Sequence, residues 1–146
     1  TIVETDTIRG FLIAGVNVFE LASTGNIIRN NVFSGTGSDT CIGVEVDMFA
    51  GDVTVTHNTF TGFANGIAVG SMSGKITITS NVISDSHYSG ILLGGLGGGL
   101  SKGAKVLNNS TDGIDVTPSA TGYTIKGNNI ARSNNPYQGF NYVQKE

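Results

Sequence analysis

Residues 76–95 read ITITSNVISDSHYSGILLGG: two short alternating runs, parted by an asparagine and a string of small polar residues. In the first run Ile76 and Ile78 fall on one side and Thr77 and Thr79 on the other, the period-two pattern of a strand with one buried face. The linker is too polar for a core and too short for a helix, so it reads as a corner leading into a second strand.

The unit recurs. Glycine-led strands begin at Gly10 (GFLIAG), Gly43 (GVEVDM), Gly66 (GIAVGS), Gly90 (GILLGG), Gly113 (GIDVTP) and Gly139 (GFNYVQ). Between them run NIIRNNVF from Asn26, VTVTHNTF from Val53, ITITSNVI from Ile76, AKVLNNST from Ala104 and YTIKGNNI from Tyr123. Superimposing this second series puts Asn31, Asn58, Asn81, Asn109 and Asn128 in one column. A fixed period of this size is the signature of a solenoid. A leucine-rich repeat would need leucines and a helix or single turn behind each strand, whereas here another alternating strand follows. Valine and isoleucine (27 together) outnumber leucine (7), which suits strands, and the 22 glycines and 14 asparagines suit turns. Asparagine tolerates left-handed backbone angles at a corner, and with coils stacked about 4.8 Å apart the column can also pair side chain to side chain.

The asparagine column and the glycine-led strands, from about Gly10 to Tyr142, resemble the right-handed parallel β-helix superfamily. It includes pectate lyases, related polysaccharide hydrolases and epimerases, phage tailspikes and carbohydrate-binding repeat proteins. The resemblance implies an all-β solenoid of about five to six coils with an asparagine ladder, one domain over residues 1–146. It also implies a carbohydrate-recognising domain on the extracellular side or on a virion surface, with a polysaccharide or cell-surface glycan as partner. Lysis, hydrolysis or epimerisation are the activities it would carry as an enzyme. The rival class is a rigid spacer in a trimeric fibre or adhesin. The aspartate-proline-histidine motif of an epimerase site is absent, and the nearest string, DSHY at Asp85, lacks the proline. AKVLNNST departs from the repeat by placing Thr111 where other coils carry Phe33, Phe60, Ile83 and Ile130, which predicts a distorted coil.

Composition narrows the partners. A net charge of −3 offers no footprint for a phosphate backbone, so nucleic acid is not expected. The longest apolar stretch, from Phe11, is too short for a bilayer and is interrupted by Asn17 and Glu20, so no membrane insertion is expected. The single cysteine, Cys41, excludes an intramolecular disulfide framework and reads as a small buried hydrophobe. The opening TIVETDT suggests a processed product or a piece of a longer chain.

Candidate functional residues come from the corners and outer faces. Counting back from each glycine aligns Phe63 with His87 and Tyr88 with Tyr137, with Asp85, Asp112 and Asn65 close by. Two carboxylates about one coil apart have the separation that glycoside chemistry uses. Asp85 and Asp112 are therefore the candidate acid and base, with His87 as proton shuttle. Phe63 and Tyr88 are the candidate sugar platforms, and Lys105 and Lys126 the candidate anion holders. Lys126 shares an outer column with Arg29, Thr56, Thr79 and Leu107, and Lys105 shares the next with Thr54, Thr77 and Thr124. The blander reading of all these positions is a solvated face with turn residues at the corners. On the glycine-led face the outward column runs Leu12, Glu45, Ala68, Leu92, Asp115 and Asn141. Glu45 and Asp115 stand three coils apart, too far for a carboxylate pair. No metal or cofactor is expected, since Glu45, Asp47 and Asp52 do not supply a calcium site's ligand number. The glycine-rich stretch from Gly94 to Gly103 reads as a surface loop, and His57 as a turn residue.

Overall fold

The computed structural model describes residues 1–19, 24–47, 50–70, 75–94 and 101–131. Within these every regular element is a strand, and no helix is long and apolar enough to cross a membrane. Tyr137, the Gly139 strand and Asn141 lie outside the described residues, as does 95–100 of the glycine-rich stretch.

Three parallel sheets form the walls of the solenoid. The first contains β1 (Ile2–Glu4), β4 (Asn26–Arg29), β7 (Val53–Thr56), β10 (Ile76–Thr79), β14 (Lys105–Leu107) and β18 (Thr124–Lys126), in that spatial order. The second stacks β2 (Thr7–Arg9), β5 (Val32–Ser34), β8 (Thr59–Thr61), β11 (Val82–Ser84), β15 (Ser110–Thr111) and β19 (Asn129–Ile130). The third stacks β3 (Ala14–Val18), β6 (Ile42–Val46), β9 (Asn65–Val69), β12 (Ser89–Leu93) and β16 (Ile114–Val116). A small fourth pair joins β13 (Ser101–Lys102) to β17 (Ala120–Thr121). In four coils every strand has three residues or more; the β14–β15–β16 coil is thinner and the coil after it contributes two described strands. The full-length coils are thus slightly fewer than the five to six expected.

Alternation produces the core. Val3, Ile28, Val55, Ile78, Val106 and Ile125 stack in register inside the first sheet, and all but Val3 are buried. Val16, Val44, Ile67, Ile91 and Ile114 do the same in the third. In the second sheet Phe33 stacks on Phe60, ring centroids 4.5 Å apart. These rings explain the glycine column. A Cβ on Gly43 would lie 2.5 Å from the Phe60 ring and 2.4 Å from the Gly66 carbonyl oxygen, and one on Gly66 would lie 2.5 Å from Ile83. Glycine is kept there by the side chains of the second sheet and the backbone of the next coil.

The ladder forms as a directional chain of hydrogen bonds. Asn31 Nδ2 donates to Asn58 Oδ1 (3.1 Å), Asn58 to Asn81 (3.0 Å), Asn81 to Asn109 (3.0 Å) and Asn109 to Asn128 (2.9 Å). Each acceptor Oδ1 also takes the backbone N–H of the preceding ladder residue, as Asn81 Oδ1 does from Asn58 N at 3.0 Å. The left-handed angles fall one residue earlier than expected, at Asn30, His57, Ser80 and Asn108, with φ of 55–56°. That twist turns the following asparagine inward. His57 is a turn residue, and its Nδ1 lies 2.7 Å from Thr56 Oγ1.

The first coil corrects the sequence register. Gly15, not Gly10, stands opposite Gly43, inside β3 as Gly43 is inside β6, so Asn17 and not Leu12 heads the outward column through Glu45, Ala68, Leu92 and Asp115. Leu12 is 83% exposed, outside any strand. Residues 2–9 also form a first-and-second-sheet pair that the repeat did not reveal, because Asp6 stands where later coils carry asparagine. Its backbone N–H donates to Asn31 Oδ1 at 2.9 Å, but a carboxylate has no hydrogen to continue the ladder. Asp6→Asn supplies the missing Nδ2 and is expected to stabilise the fold by about 1 kcal/mol, read as a higher thermal midpoint.

Candidate functional site

The corner between the second and third sheets is built differently in each coil. Residues 35–41 make it in the second coil and 62–64 in the third, while Asp85, Ser86, His87 and Tyr88 make it in the fourth. In the fifth it shrinks to Asp112 and Gly113, between β15 and β16. The expected distortion is therefore real. Thr111, in the Phe60 and Ile83 column, is 1% exposed, and its hydroxyl donates to the Gly113 carbonyl at 3.1 Å.

The turn at 85–88 is held from both sides. Asp85 takes a left-handed φ of 55°, and the backbone N–H groups of His87 and Tyr88 donate to Phe63 O (2.7 Å) and Ala64 O (2.9 Å) of the coil before. From the coil after, Asp112 Oδ2 accepts the Ser86 N–H at 2.6 Å. On the outer side His87 Nδ1 lies 3.2 Å from Asp39 Oδ1, and the His87 and Tyr88 rings meet edge to face with centroids 4.7 Å apart. Tyr88 is 37% exposed, and Asp85 and Asp39 are exposed around it. The result is an open aromatic surface rimmed by carboxylates.

The structure brings some of the expected site residues together and separates others. Asp85, His87, Tyr88 and Asp112 share this corner. Phe63 is adjacent in register but is 1% exposed, its ring stacked on Phe11 and edge-on to Phe60. The expected sugar platform at Phe63 is corrected: counting residues located its coil but not the inward direction of its side chain. Lys105 and Lys126 are exposed on the outer face of the first sheet, opposite Thr124 and Leu107 respectively, and belong to a different surface. Asp112 is 8% exposed beneath the turn, so its carboxyl supports the corner rather than facing solvent beside Asp85. Burial is the main cause that pushes its pKa up from the ordinary aspartate value; the Ser86 N–H and hydroxyl and its own backbone N–H pull it down, and Asp85 pushes it up further. Asp39 and Ser86 were not singled out from sequence. Asp39 stands four residues before Gly43, as Ser86 stands four before Gly90, so the counting that aligned the aromatics would have found both.

Two other carboxyls sit on the third sheet's outer face. Burial and then Asp47 raise the pKa of Glu45, whose Oε2 accepts from Asn17 Nδ2 at 3.1 Å. Burial raises that of Asp115, against a hydrogen bond from the Ser89 hydroxyl. Ala68 and Leu92 stand between them in register, so they do not act as a pair. A cleft of about 350 Å³ lies elsewhere, lined by Val3, Val16, Val18 and Ile28 among others, and has no functional group in common with the corner.

The soft and imidazole donors are scattered. Cys41 is fully buried with Sγ directed at the Phe11 carbonyl, His57 sits on the corner between the first and second sheets, and His87 faces Asp39. Asp52 Oδ1 is engaged by the Lys75 N–H at 2.8 Å. Among the described residues no three His, Cys, Asp or Glu side chains converge on one point.

No curated protein and no solved structure matches the chain significantly. A family model described as periplasmic copper-binding protein (NosD) matches residues 7–143, nearly the whole sequence. With the three-walled parallel solenoid and its asparagine ladder, that match settles the expected superfamily: the chain belongs to the NosD family of right-handed parallel β-helices.

Proposed function

We propose that this β-helix is a carbohydrate-binding domain whose ligand sits on the corner formed by Tyr88, His87, Asp85 and Asp39. The supporting observation is the half-open Tyr88 ring, braced edge-on by His87 and rimmed by exposed carboxylates. An aromatic face takes the apolar side of a sugar ring, and carboxylate oxygens accept from its hydroxyls. Binding without turnover suits the corner better than hydrolysis, because Asp112 is enclosed under the turn and cannot pair with Asp85 across a scissile bond. A family described as periplasmic supports a location on the outer side of the cytoplasmic membrane.

The family description also raises copper as a ligand. The described residues do not fit a dedicated copper centre. Such a site draws on several convergent imidazole, thiolate or thioether donors, whereas among the described residues no three such side chains converge, and the His87–Asp39 contact brings together one imidazole and one carboxylate. Met48 and Met72 lie outside the described residues. Copper is therefore the second reading, resting on the family description.

Affinity electrophoresis through gels containing neutral or acidic polysaccharides tests the proposal. One or more polymers should retard the chain, and Tyr88→Ala should weaken that retardation about two- to tenfold, by loss of an aromatic contact of roughly 0.5–1.5 kcal/mol. Retardation that survives Tyr88→Ala but is lost on changing Lys105 and Lys126 to alanine would move the site to the first sheet. A chain unretarded on every polymer but binding Cu(II) stoichiometrically would replace this reading with the second.

A further inference from the structure

The Tyr88 corner is assembled by coils that are not neighbours. The third coil gives only residues 62–64 to it, and the longer corners of the second and fourth coils meet across that gap, where His87 Nδ1 lies 3.2 Å from Asp39 Oδ1. That contact uses one oxygen of Asp39. Among the described residues no hydrogen bond or ion pair engages its other oxygen, or either oxygen of Asp85, and both side chains are exposed. Asp112 adds a third carboxyl beneath the turn, its Oδ2 accepting the Ser86 N–H at 2.6 Å, near enough to Asp85 for the two to interact electrostatically.

The cations stand elsewhere. Arg29, Lys105 and Lys126 lie in the first sheet, Lys75 directly before β10, and Lys102 in β13 outside the three walls. Arg9 ends β2, the edge strand of the second sheet, and its register column reaches Ser84, the residue before Asp85, only three coils later, about 14 Å away. The surface around Tyr88 is therefore rich in unengaged acceptors of negative charge, with no lysine or arginine of the described residues beside Asp85. Glycans sort by charge against such a surface. A uronate or sulfated sugar brings a like charge towards Asp39 and Asp85, and a neutral sugar offers hydroxyls without an ionic component. An ammonium offers three donors and a positive charge, and it also suits the face of an aromatic ring.

Resting on the binding reading of this corner, we propose that its ligand is an amino sugar with a free ammonium group, the class of the deacetylated hexosamine polymers. Tyr88 takes the apolar side of the sugar ring, and Asp39 and Asp85 hold the ammonium. N-acetylation removes the charge and two of the three donors, and with them the preference.

Isothermal titration calorimetry of the full chain at about pH 6, where an amine of this kind carries its proton, tests this with oligomers of matched length: glucosamine, N-acetylglucosamine, galacturonate and lysine. At low salt the glucosamine oligomer should bind about tenfold more tightly than the N-acetylated one, with galacturonate weakest, and the advantage should shrink as salt is raised. Asp39→Asn and Asp85→Asn keep an acceptor oxygen but remove the charge, and asparagine tolerates the left-handed φ at position 85. Each should weaken the glucosamine oligomer about threefold more than the N-acetylated one, and together they should erase the advantage. Tyr88→Ala should weaken both sugars. Equal affinity for the two, tighter binding of galacturonate, or an advantage that survives the double substitution overturns the amine assignment; sugar binding that still depends on Tyr88 then leaves the carbohydrate reading standing. A lysine oligomer bound as tightly as glucosamine overturns both, because charge alone then accounts for the binding. Failure of every oligomer to bind overturns both as well.

Discussion

Asn81→Ala is expected to destabilise the protein by about 3–5 kcal/mol. Asn81 is 1% exposed at the centre of the ladder and uses every polar atom it has. Its Nδ2 donates to Val55 O, Thr79 O and Asn109 Oδ1, and its Oδ1 accepts from both the backbone and side-chain nitrogens of Asn58. Alanine leaves the Asn58 nitrogens and the Val55 and Thr79 carbonyl oxygens facing a small buried cavity with these bonds unmade. A thermal midpoint about 10 °C lower is the expected reading for a chain of this length. Asn81→Asp distinguishes polarity from volume. The carboxyl still accepts from Asn58, but as an anion it faces Asn109 Oδ1 and two carbonyl oxygens. Burial will raise its folded pKa, so its deficit should be small in acid and grow as pH rises through that value. The same substitutions at Asn128, which is only half-buried at the thin end of the ladder, should cost less.

Gly43→Ala is expected to cost about 3 kcal/mol although it adds one methyl group. The new Cβ would fall 2.4 Å from the Gly66 carbonyl oxygen and 2.5 Å from the Phe60 ring, and neither has room to retreat. Phe60 is stacked on Phe33 and is fully buried, while Gly66 lies within the paired strand β9. Gly25→Ala is the control. Gly25 has a φ of +66° but nothing within 4 Å of a Cβ, so its cost is conformational, about 1 kcal/mol. Urea denaturation of the two variants separates packing from backbone strain. Equal losses would refute the explanation of the glycine column by the second sheet's side chains.

These two columns were the part of the structure that the sequence displayed most clearly, and for the same reason: a coil stacked in register must repeat whatever its neighbour forbids. Wherever the neighbour's rule was relaxed, legibility ended. Asp6 keeps the backbone half of the ladder bond, so the first coil folds without the asparagine that marked the others, and the alignment slid to Gly10. At the corners no column constrains the chain. Phe63 and His87 were correctly placed on neighbouring coils, yet one ring turns into the core and the other out to Asp39. Whether a corner residue points inward depends on how many residues the corner holds, which changes from coil to coil. Asp112 shows the limit most plainly. Its two-residue corner puts it at once beneath the turn of the preceding coil and in the Asn65–Ser89 column, a position that counting from one side alone reads as surface.

Chemical-shift mapping with an oligosaccharide from the polymer that retards the chain most strongly is the most direct test of the functional account. The account predicts that the largest amide perturbations cluster at Asp39 and at residues 85–88, and that they vanish in Tyr88→Ala while the ladder amides stay unmoved. Perturbations centred on Arg29, Thr56, Lys105 and Lys126, or none at saturating sugar, would contradict it.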